Sequence, residues 1–134
     1  MVRNTQEPAD LQKYLFIALG GALGSMARYA VNTGISSRMG IRFPYGTLII
    51  NISACLIIGL SLEILNRHSN VNPGYRYLIP IGFIGAYSTF STFEWEIFSS
   101  LNSGAFWIAL VYVASSLIFG LLAVALGAAL GRLL

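Results

Sequence analysis

The sequence predicts an all-α membrane protein of four transmembrane helices, the third broken near the membrane centre. Three observations carry that prediction. Of 134 residues, 56% are hydrophobic and 10% charged, and the mean hydropathy is +0.72, whereas about a quarter of a soluble domain is charged. Four apolar segments, about 14–31, 46–65, 77–98 and 105–130, are each long enough to cross the roughly 30 Å of hydrocarbon that about 20 helical residues span. The third of them contains Gly82-Phe83-Ile84-Gly85-Ala86-Tyr87-Ser88-Thr89-Phe90-Ser91-Thr92-Phe93 where a plain membrane helix would carry Leu, Ile and Val.

Residues 1–13 form an N-terminal tail of mixed charge (Arg3, Glu7, Asp10, Lys13), either disordered or lying on the surface as a short amphipathic lead-in. Residues 14–134 form the four-helix membrane domain, with loops too short to hide a soluble domain. The first span is not a signal peptide, because it contains Arg28 and no cleavage site follows. Gly20 and Gly24 lie four apart and share a helix face suited to close packing. A guanidinium in a membrane costs a few kcal/mol unless it snorkels or meets water. Arg28 therefore either anchors the helix end or draws anions into a vestibule.

Span two opens with Pro44-Tyr45-Gly46-Thr47 and carries Asn51 about one turn further in. An amide at that depth needs partners, and its NH₂ offers two donors to an anion or a neighbouring helix. Asn51-Ile52-Ser53 matches a glycosylation sequon by chance only, since it lies within a span. Glu63 is close enough to the end to reach water. In span three, Gly82 and Gly85 lower helix propensity while the hydroxyls compete for backbone carbonyls. This reads as a helix break or, alternatively, as a tightly packed polar interface; irregular backbone at that depth must lie inside protein or along water. Span four places Tyr112, Ser115 and Ser116 on one face.

Charge excludes several function classes. The net charge of +3 is spread without a Lys/Arg run, so no nucleic-acid partner is expected. Cys55 is the only cysteine; it forms no internal disulfide, and with His68 alone it makes no zinc site. Arg3, Lys13, Arg67, Arg76 and Arg132 fall on one side of the membrane and Arg38 and Arg42 on the other, a weak bias that permits insertion both ways. Away from the ends of spans two and three, the spans hold no Asp, Glu, Lys or His. A proton-coupled exporter or an intramembrane enzyme would need such a group. What remains is a set of donors: Asn51, Thr47, Ser88, Thr89, Ser91, Thr92, Tyr112, Ser116 and Arg28. They suit a small, strongly hydrogen-bonding anion, and the electropositive ring edges of Phe90 and Phe93 add to them.

These residues carry a family resemblance. The stretch Gly82–Phe93 resembles the third-helix signature of the Fluc (CrcB) fluoride channels, Gly20-Gly21-Ala22-Leu23-Gly24-Ser25-Met26-Ala27-Arg28-Tyr29 is similar to their first-helix motif, and Gly46-Thr47-Leu48-Ile49-Ile50-Asn51 to their second. The resemblance implies a multi-pass protein of the bacterial cell membrane, an antiparallel, dual-topology homodimer that passively exports fluoride. It further implies a fluoride pore of Phe90, Phe93, Asn51, Ser91, Thr92, Tyr112, Ser116 and Arg28, and a central structural Na⁺ on the backbone carbonyls of Gly85 and Ser88. It implies no enzymatic activity. Four residues depart from the pattern: Ala86 and Tyr87 where Gly and a small aliphatic are common, Glu94 where a small polar residue is familiar, and Gly120 in place of a serine. Glu94 would raise a barrier to anions unless it faces solvent or Arg28. Two other classes share parts of this pattern. A small drug exporter would need an early membrane carboxylate, which span one lacks, and an assembly subunit would not need donors on all four spans.

Overall fold

A computed structural model describes residues 9–68 and 70–134. Among them the chain is all helix and turn. Helix α1 runs Asp10–Met39, so the last residues of the expected tail are its first turn. It stops at Gly40, whose φ of 76° only glycine adopts readily, and whose N–H returns to the Ser36 carbonyl. Pro44, with no N–H to leave unpaired, precedes α2 (Tyr45–Arg67). An Asn72 side chain accepting from Gly74 N–H at 2.8 Å starts the third span.

That span is composite: α3 (Gly74–Arg76), a π-helix (Tyr77–Ile84), α4 (Gly85–Tyr87) and α5 (Phe90–Asn102). Pro80 sits inside the π-helix; it lacks the donor a regular α-turn needs there, and the wider turn relieves its ring. Between α4 and α5, Ser88 (ψ 158°) and Thr89 (φ −148°, ψ 117°) are extended. The expected break is real, and it falls on the hydroxyl residues. Helix α6 (Phe106–Leu133) follows a turn at Gly104. Helices α1, α2 and α6 are each long and apolar enough to cross a membrane. With the broken span they make the expected four-helix membrane fold.

Small residues decide which helices meet. Helix α2 packs most extensively on α6, and α1 on the π-helix and α4. A Cβ on Gly59 or Gly127 would strike the backbone of the facing helix, at Val124 and Leu56 respectively. Gly20 and Gly24, both buried, lie as closely on the backbone of Leu78 and Phe83. Such contacts replace the hydrophobic drive that lipid cannot supply between membrane helices. At one end of the bundle Arg67 donates to the Arg132 carbonyl (3.2 Å) and Arg76 to Asn66 Oδ1 (2.9 Å), while Arg132 lies 3.4 Å from Glu63. These cations sit where helix C-terminal carbonyls are unpaired and the dipole is negative.

Candidate functional site

The extended pair at Ser88–Thr89 leaves main-chain groups that an unbroken helix would satisfy. Two side chains from outside the span take them up. Asn51, on α2, donates from Nδ2 to the Thr89 carbonyl (3.2 Å) and accepts from Thr89 N–H at Oδ1 (3.0 Å). Arg28, on α1, donates from Nε to the Tyr87 carbonyl (2.9 Å) and from Nη2 to the carbonyls of Ser88 (3.0 Å) and Ala86. Tyr87 is buried, stacks on Phe83 at 5.5 Å and meets Ser53 Oγ through its hydroxyl at 2.9 Å. Thr89 then caps α5, its Oγ1 accepting from Thr92 N–H. Unpaired backbone polar groups at this depth cost several kcal/mol each. Arg28 and Asn51 are thereby fixed by the break as much as the break is fixed by them.

The two phenylalanines are placed differently. Phe93 is buried edge-on against Tyr112, ring centres 4.9 Å apart, whereas Phe90 is 73% exposed and 6.2 Å from Phe93. Ser91 and Thr92, in the first turn of α5, are also exposed. Tyr112 is fully buried on α6. One turn further along α6, Ser116 Oγ is the one buried side-chain polar atom among the described residues without a hydrogen-bond partner. A cavity of about 290 Å³ opens beside the break, lined by Asn51, Ser88, Thr89 and Phe90.

A residue that sequence reasoning passed over completes the site. Glu96, on α5, accepts from Thr47 Oγ1 at Oε1 (2.8 Å) and from the Tyr112 hydroxyl at Oε2 (2.6 Å). The available signal was its position three residues after Phe93, on the same face of the helix. Glu94 differs: it is exposed, and Arg28 is engaged with carbonyls rather than with it. Several expected donors are therefore already occupied. Thr47 and Tyr112 give their hydroxyl hydrogens to Glu96, and Asn51 gives one of its two N–H groups to Thr89. Ser91, Thr92, Ser116, the second Asn51 N–H and Arg28 Nη1 remain as donors.

Comparison with known proteins now bears on this arrangement. Residues 15–128 match the family model described as CrcB-like protein, Camphor Resistance (CrcB). The chain belongs to that family. It is 52% identical over 120 residues to a protein of Acidobacterium capsulatum named fluoride-specific ion channel FluC, covering 90% of this chain and 96% of the relative. A protein of the same name from Solibacter usitatus is 48% identical over 120 residues, covering 90% and 98%. One from Synechococcus sp. is 42% identical over 117 residues, covering 87% and 90%. As a CrcB-family member the chain is a membrane protein of a channel family and not an enzyme.

Proposed function

We propose that this chain is a fluoride channel of a bacterial cell membrane, passively exporting fluoride and so lowering its concentration in the cytoplasm. The observation that carries the reading is the broken third span. At its centre, in a chain whose relatives bear the name of fluoride channel, it gathers Asn51, Phe90 and Phe93 beside the exposed hydroxyls of Ser91 and Thr92. Ser116 supports it further, since a buried hydroxyl without a partner is a site waiting for an acceptor. Tyr112 and Ser116, one turn apart on α6, mark the track, with Phe93 laid edge-on beside it. Ring edges are electropositive and so suit an anion that must leave most of its water behind.

The functional unit is an antiparallel, dual-topology homodimer. Phe90, Ser91 and Thr92 are exposed in the single chain, and a second copy would enclose them. Gly85 supports the same reading. Its backbone is ordinary right-handed helix, and a Cβ there would meet only the Pro80 carbonyl, at 4.0 Å. Nothing among the described residues demands a glycine there, which leaves room for the close approach of a second copy.

A structural Na⁺ fits the oxygens at the break. The Thr89 N–H that would return to the Gly85 carbonyl in an unbroken helix bonds Asn51 instead. The Ser88 carbonyl, with two lone pairs, holds one bond from Arg28. Gly85 and Ser88 would thus present hard carbonyl ligands of the kind sodium takes at broken membrane helices. Bound there, the ion would supply a fixed positive charge close to the anion path.

Purified protein in liposomes should dissipate a fluoride gradient electrogenically, with little chloride flux and no need of a proton gradient. Efflux that required protons, or that carried an organic cation, would refute the proposal. Exchanging sodium for a large organic cation should weaken both dimer and flux; an unchanged dimer and unchanged flux would remove the ion from it.

A further inference from the structure

We infer that Asn32 is the ion-contacting waist of a wet passage from the α1–α2 loop to the helix break. The inference rests on the fluoride-channel reading and adds a residue and a route to it. Two cavities of about 230 Å³ each lie along α1. The outer one is walled by Arg42, Ser36, Trp95 and Glu96, the inner one by Arg28, Thr47, Thr89 and Thr92. Among the described residues, Asn32 is the one side chain that lines both.

Three observations make this more than adjacency. First, Ser25, Arg28, Asn32 and Ser36 recur every three or four residues, so they form one polar stripe along α1. All four line one or both of the cavities. Second, the Asn32 amide is exposed and, among the described residues, has no hydrogen-bond partner. In hydrocarbon that costs several kcal/mol, and it is tolerated where water reaches. Third, Gly46 at the start of α2 makes room for it: a Cβ at that position would collide with Asn32 Oδ1. Each cavity has one guanidinium in its wall, Arg42 outside and Arg28 inside. An anion moving between them would pass the NH₂ donors of Asn32.

The test uses full-length protein with Cys55, the sole cysteine, replaced by alanine. Asn32→Cys is compared with Leu19→Cys, an apolar α1 position that is 56% exposed. In membranes, an anionic methanethiosulfonate should modify Asn32→Cys at least about tenfold faster, because only a hydrated thiol forms the reactive thiolate. Mass spectrometry reads that rate without reference to transport. The sulfonate left at the waist should then cut fluoride flux roughly tenfold, as a fixed negative charge beside the path repels the anion. Independently, Asn32→Asp should lose about tenfold in flux relative to Asn32→Gln, which keeps the donor, as expected for removing a hydrogen bond to a charged group. Equal modification rates, modification with full flux, or equal flux in the Asp and Gln variants would each overturn the inference. Wild-type protein that conducts no fluoride would instead refute the channel reading, and the modification rates would still decide whether the passage is wet.

Discussion

Replacing Arg28 by methionine keeps much of the side chain's length and bulk but removes every bond it makes to the helix break. The guanidinium donates to the carbonyls of Ala86, Tyr87 and Ser88, with the two Nη2 contacts drawn from one nitrogen. Counted as two independent charged-donor bonds of about 1.5–3 kcal/mol each, the loss is roughly 3–6 kcal/mol. Against this stands the cost of bringing a guanidinium into a partly buried site, which methionine avoids and which reaches several kcal/mol for a fully buried ion. The net destabilisation should be about 2–4 kcal/mol, large for a single substitution. Arg28→Lys keeps the charge but not the fork, and should recover about half of it. Unfolding of the purified protein in detergent micelles, followed by the fluorescence of Trp95 and Trp107, measures the effect. The expected order is wild type, then Arg28→Lys, then Arg28→Met. Arg28→Met with a wild-type midpoint, or a Lys variant no better than Met, would refute the role in holding the break.

Two further perturbations test other parts of the structure. Gly127→Val would drive a side chain into the backbone of α2 at Leu56 and Leu60 and should destabilise by about 1–3 kcal/mol or more, while Gly34→Ala, with nothing within 4 Å, should be neutral or slightly stabilising in the same unfolding assay. Glu96→Gln replaces an acceptor of two hydroxyl hydrogens with a group that can accept at only one end. Thermal unfolding should fall by the equivalent of about 1–3 kcal/mol, and Thr47→Val added to it should cost little more, a coupling that additive effects of the two changes would disprove.

The sequence made the spans and the broken one legible because hydropathy and backbone propensity act locally. Gly82 and Gly85 drew attention to the right stretch, yet both are helical in the structure, and the chain opens at Ser88 and Thr89 instead. The cause lies elsewhere in the chain: Asn51 competes for the Thr89 backbone across 38 residues and Arg28 for carbonyls across about 60. No window around the break contains that information. Glu96 was missed for the same reason. Near the end of a span it reads as an interfacial carboxylate, and only the approach of Thr47 and Tyr112 makes it an interior acceptor. Pro80 was in plain view, but a proline inside a helix is met by a kink or a break as readily as by the wider turn found here.

The pairing of Asn51 with Thr89 has a consequence for what position 51 can tolerate. Two antiparallel strands recognise each other through one N–H and one C=O presented side by side. Here a single carboxamide presents the same two groups to a lone extended residue, so a side chain stands in for a missing strand. Only asparagine and glutamine carry that pair, and glutamine's extra methylene would displace it from a backbone fixed on both sides. Leucine would offer neither half, aspartate only the acceptor. Position 51 therefore answers to the grammar of the main chain, and the substitutions open to it are those that leave a peptide-like group in place.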